Sequence, residues 1–164
     1  MKDITLENEI RDAKSFLYFY LENKSIIDQI DFKKSKIKQD GSPDFYFKEI
    51  NILLEIKTLN RKLYLDRKLF NNKNSFQMES QIQIEEIKKL LKKSDKQLNY
   101  PILNKDTEKI FLIVNQYKYL FNLNKGVYIQ LKDIVKNYNF INTNKVFFQY
   151  RDENCLIQHE ILHF

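Results

Sequence analysis

The chain has 164 residues, 43% hydrophobic and 30% charged, the length of one domain and the composition of a globular fold with a sizeable core. Lysine and arginine outnumber aspartate and glutamate by 28 to 22, a formal charge of +6 that favours a polyanionic partner, although a merely lysine-rich surface gives the same balance. A single cysteine, Cys155, excludes an intrachain disulfide framework, no run approaches the roughly 18 apolar residues of a membrane span, and the start Met-Lys-Asp-Ile-Thr has no signal-peptide core, so the expected setting is a reducing cytoplasm with no membrane partner.

Residues 5–23 have helical periodicity, with Leu6, Ile10, Ala13, Phe16, Leu17, Tyr20 and Leu21 on one stripe. Glu9 falls within that stripe; Glu7 and Asp12 fall outside it. A carboxylate on a core-facing stripe is costly unless paired or metal-bound, while an acid near a helix start also simply favours the helix dipole. Ile26 to Phe32 reads as a first strand. The basic run Lys33, Lys34, Lys36 and Lys38 follows, expected to face solvent, and leads to an Asp40-Gly41 turn.

The segment Gly41-Ser-Pro-Asp-Phe-Tyr-Phe-Lys-Glu-Ile-Asn-Ile-Leu-Leu-Glu-Ile-Lys57 carries two alternating runs. In the second, Ile50, Ile52, Leu54 and Ile56 share one face, and Asn51, Leu53, Glu55 and Lys57 share the other. In the first, Asp44, Tyr46 and Lys48 alternate with Phe45 and Phe47. A two-residue turn at Glu49-Ile50 sets Lys48 against Asn51 and Asp44 against Glu55. Opposed Cβ atoms lie roughly 4.5 to 5.5 Å apart, which lets two carboxylates share one divalent cation. A three-residue loop would instead send the carboxylates to opposite faces.

Thr58 to Ser75 is polar and basic, with Arg61, Lys62, Arg67 and Lys68 interleaved with leucine, tyrosine and phenylalanine, a pattern suited to phosphate neutralisation and base contact. A second helix is expected over about Phe76 to Lys96, with Phe76, Gln83, Ile84, Ile87, Leu90 and Leu91 on its stripe. Lys109 to Asn115 reads as a buried strand. Val127 to Tyr138 reads as a third helix, and Lys145 to Tyr150 and Cys155 to Gln158 as further strands. The order through Asn115 is helix, strand, strand, strand, helix, strand.

Pro43-Asp44 and Glu55-Ile-Lys57, in this element order, resemble the PD-(D/E)xK nuclease superfamily over about residues 5–116. The resemblance implies an α/β fold with a restriction-endonuclease-like αβββαβ core, a mixed central sheet flanked by helices, and a small C-terminal α/β extension over about 117–164, all in one domain of residues 1–164. It implies a Mg²⁺-dependent nuclease, with Mn²⁺ able to substitute, acting on nucleic acid and on DNA rather than RNA. Asp44 and Glu55 would hold the metal, with the Ile56 carbonyl as a further ligand, and Lys57 would position water or offset charge at phosphorus. Glu9, as a first-helix acid, and Gln83, as a second-helix amide, would complete the site, and a homodimer would supply two cuts to a duplex. The alternatives are an inactive nuclease-fold protein that only binds nucleic acid, and a protein-interaction module.

A competing motif closes the chain. His159-Glu-Ile-Leu-His163 matches the H-E-x-x-H zinc-hydrolase pattern, which works when both histidines project from one helix. The neighbouring Cys155-Leu-Ile favours a strand, and these are the only histidines in the chain, so a third ligand would have to be an upstream acid.

Overall fold

A computed structural model of the chain describes residues 4–59, 84–102, 104–115, 125–152 and 154–164. Its helices are α1 (Ile4–Tyr20), α2 (Phe32–Ser35), α3 (Ile84–Gln97) and α4 (Lys125–Asn137), with a 3-10 turn at Lys24–Gln29. Its strands are β1 (Phe45–Phe47), β2 (Ile52–Leu59), β3 (Glu108–Asn115), β4 (Lys145–Arg151) and β5 (Ile157–His163). The fold is α/β, a five-stranded mixed sheet in the order β1-β2-β3-β4-β5. Strands β2, β3 and β4 run parallel, and β1 and β5 are antiparallel edges.

The central strand explains its own position. Ile110 to Val114 are all buried, because a parallel strand covered by helices on both faces needs apolar side chains at odd and even positions alike. One face of the sheet packs Ile52, Leu54, Ile110, Leu112 and Phe147 against Ala13, Phe16 and Leu17 of α1. The other packs Leu53, Leu59, Phe111, Ile113 and Phe148 against Ile87 and Leu91 of α3 and Leu131 and Val135 of α4. No helix among the described residues is long and apolar enough to cross a membrane.

One expectation is corrected here. Ile26 to Phe32 is not a strand: it is the 3-10 turn and the start of α2. The Asn23 side chain accepts from the Ser25 amide, and the Asp31 side chain accepts from the Lys34 amide, so two Asx caps start short helical turns where alternation suggested an extended run. Strand pairing before β1 is reduced to one antiparallel bridge, Lys36 to Phe45. The C-terminal region is an α/β extension, as expected, and it extends the sheet: β4 and β5 supply two of the five strands and β4 pairs with the central strand.

The helix expected over Phe76 to Lys96 is described from Ile84 onward. There Ile87 and Leu91 are buried as expected, whereas Ile84, placed on the same stripe, is half-exposed.

Candidate functional site

The β1–β2 hairpin has the register that brings the two acids together. Phe45 pairs with Leu54, Tyr46 with Leu53 and Phe47 with Ile52, and one further step sets Asp44 across from Glu55. The turn differs from expectation: Lys48 to Asn51 form a four-residue loop, closed by the Ile50 amide donating to Phe47 O (3.3 Å). Asn51 takes the left-handed conformation at φ 58°, which asparagine tolerates better than most residues. A four-residue loop shares the parity of a two-residue one, so every side chain keeps its face. At the near end Gly41 supplies the left-handed residue of the Asp40-Gly41 turn, at φ 77°.

Asp44 ties β2 to the segment before β1 and, through Lys36, to α1. Its Oδ2 accepts from the Ile56 amide (2.7 Å), and its Oδ1 accepts from Lys36 Nζ (2.9 Å). The same ammonium donates to Glu9 Oε2 of α1 (2.5 Å). Glu9 on the apolar stripe is thereby paired, as a carboxylate there must be. Burial works against the Lys36 charge, but the hydrogen bonds to Glu9 and Asp44 outweigh it and raise its pKa. Lys33, Lys34 and Lys38 are exposed, as expected of the basic run, whereas Lys36 departs from it and turns into the site. Ile56 contributes its amide, already given to Asp44.

Glu55 projects into the α3 side of the sheet with no exposed surface. Burial, then the Asp44 carboxylate, raise its pKa to about 8, against the opposing pull of Lys57. Lys57 Nζ lies 2.8 Å from Glu55 Oε1, yet neither carboxyl oxygen has an aligned hydrogen-bond donor. The ammonium offsets only part of the desolvation of this buried carboxyl group, which stays costly. A hard cation taking oxygen ligands would satisfy it.

Among the described residues, no three histidine, cysteine, aspartate or glutamate side chains converge as a ready-made metal cage. Two carboxylates nevertheless suit Mg²⁺, which keeps several waters and completes its shell with substrate phosphate oxygens. Of the other expected residues, Gln83, Arg61, Lys62, Arg67 and Lys68 lie outside the described residues.

The terminal histidines do not form a zinc pair. They lie on β5, where His159 stacks on Phe19 of α1 (4.7 Å between ring centroids) and His163 packs on Phe140, in the opposite layer (4.8 Å). A register shift opposite Val146 and Phe147 lets two residues four apart face different layers. His159 Nε2 instead pairs with Gln149 Oε1 (2.8 Å), whose amide donates to Asp12 Oδ1 (3.2 Å). This polar chain escaped the sequence reading, which put Asp12 outside the buried stripe of α1. Burial raises the Asp12 pKa, opposed by Arg11, and lowers that of His159 to about 4.

Compared with protein-family models, curated proteins and solved structures, the chain matches none.

Proposed function

We propose that the protein is a metal-dependent nuclease of the PD-(D/E)xK type, hydrolysing phosphodiester bonds in DNA. The observation that carries this reading is the juxtaposition on one hairpin of Asp44, a buried Glu55 whose oxygens lack aligned donors, and Lys57 within 2.8 Å of Glu55. The element order supports it. A helix, a bridge at Lys36, the antiparallel pair β1–β2, helix α3 and the parallel strand β3 follow the αβββαβ sequence, with the first strand reduced to a single pairing. Strands β4 and β5 would then extend that core.

In this reading Asp44 and Glu55 hold Mg²⁺, which supplies a polarised phosphate and an activated water when bound. Glu55 must lose its proton to ligate, and Lys57, on the same face, offsets negative charge developing at the phosphorus. The Ile56 amide fixes one oxygen of Asp44. The net charge of +6 favours the polyanionic substrate.

The test is incubation of purified protein with supercoiled plasmid and branched DNA in Mg²⁺, Mn²⁺ or EDTA, beside Asp44→Asn. Asparagine keeps an acceptor for the Ile56 amide, so the variant separates loss of charge from loss of the hairpin. Cleavage that needs the metal and falls at least about 100-fold in the variant supports the assignment. Equal cleavage by both proteins, or none on DNA or RNA at any metal, overturns it.

A further inference from the structure

We propose that Lys36 is a resident counter-cation of this site, which a divalent metal must displace from Asp44, so that metal loading is tied to arrival of the substrate phosphate. The inference rests on the reading of Asp44 and Glu55 as metal ligands. Lys36 comes from a four-lysine run, yet its side chain alone among them bridges acids of two different elements, at 2.5 Å from Glu9 and 2.9 Å from Asp44.

The bridging position is built in. The Lys36 backbone pairs with Phe45, the next amide, Ile37 N, donates to Asp44 O (2.9 Å), and the ammonium lies 5.2 Å from the centroid of the Phe45 ring. The backbone anchored beside Asp44 keeps the base of the lysine stem next to the acids. Lys57 has a separate commitment, to Glu55. The result is two acid–lysine groups, Glu9–Lys36–Asp44 and Glu55–Lys57, meeting where Asp44 faces Glu55.

A dication entering between Asp44 and Glu55 therefore competes with Lys36 for Asp44 Oδ1 and is repelled by an ammonium that remains nearby. Protein ligands alone then bind the metal weakly. The deficit closes when phosphate oxygens join the coordination shell, as Mg²⁺ sites of one or two carboxylates commonly require. A nuclease built this way loads its metal with its substrate rather than ahead of it.

The experiment is Mn²⁺ binding to metal-stripped, full-length protein without nucleic acid, followed by the electron paramagnetic resonance of free Mn²⁺. Lys36→Met and Lys36→Gln should each bind at least about tenfold more tightly than wild type, whereas Lys36→Arg, which keeps the charge, should bind like wild type. Thermal melts run alongside, and Lys36→Gln retains a donor for Asp44 should the methionine fail to fold. Unchanged or weaker binding in both neutral variants, with Mn²⁺ bound by wild type and lost in Asp44→Asn, would make Lys36 a structural tie and overturn the proposal alone. If wild type and the neutral variants bind no Mn²⁺, or if Asp44→Asn binds as wild type does, the metal-site reading itself fails and this proposal falls with it.

Discussion

Replacing Glu55 with glutamine should stabilise the metal-free protein above neutral pH. A carboxyl group whose pKa rises from 4.5 in the open chain to about 8 in the fold holds a proton in the native state that the unfolded state has released. Stability therefore falls as pH rises through that interval, by about 1.4 kcal/mol per pH unit for one proton and about 4 to 5 kcal/mol in all. His159 tilts the acid half the other way. Its pKa drops from 6.5 to about 4 on burial, so its contribution grows as pH rises over that range and partly cancels the Glu55 slope. The clean window is pH 7 to 8, where His159 is almost fully deprotonated in both states and wild type should lose about 1 kcal/mol through Glu55. Urea denaturation in EDTA at half-unit pH steps measures it, and Glu55→Gln should be flat across the window. A wild-type curve that is level or rises there, or a variant that keeps the wild-type slope, would refute the account of Glu55 as a desolvated, unsatisfied acid.

On the acid side the Glu55 and His159 shifts nearly cancel between pH 6.5 and 4, so His159→Gln should gain stability on acidification where wild type stays nearly level, by at most about 3 kcal/mol, because glutamine leaves no imidazole to be protonated on unfolding. The same denaturation series reads it, and an unaltered acid limb would count against a neutral, buried imidazole. Asp95→Ala should cost about 2 to 4 kcal/mol, seen as a lowered melting temperature. Its carboxylate accepts from the Ile141 and Asn142 amides (2.9 Å each) and the Thr143 hydroxyl (2.7 Å), tying α3 to the loop before β4. A variant within about 0.5 kcal/mol of wild type would mean that water replaces all three bonds.

The parts of this fold that the sequence displays are those whose signal is local. Alternation in Phe45–Phe47 and Ile52–Leu59 revealed both the strands and the shared face of Glu55 and Lys57, and the apolar run before Asn115 announced a strand covered on both sides. The stripe of α1 likewise marked Ala13, Phe16 and Leu17 for burial. What stayed hidden depends on partners distant in sequence. Lys36 reads as one lysine of a solvated run until Glu9, 27 residues earlier, is brought against it. Asp12 reads as exposed until Gln149, 137 residues later, offers an amide. The false strand at Ile26 to Phe32 is different in kind, because Asn23 before it and Asp31 within it are cap residues that outweighed a short alternation.

The loop at Lys48 to Asn51 gives the hairpin a dependence on parity. Its far end is clamped to the start of β3, where Asn51 O accepts from the Glu108 amide (3.0 Å) and Asn51 Oδ1 from the Thr107 hydroxyl (2.6 Å). From that clamp the pairing counts back in steps of one residue to Asp44 and Glu55. Adding or removing an even number of loop residues preserves which side each acid occupies, whereas an odd change transposes one strand relative to the other. A single-residue insertion far from both carboxylates would thus separate them while leaving every site residue in the sequence, so in distant copies of this hairpin the length of the loop would be as informative as the identity of the acids.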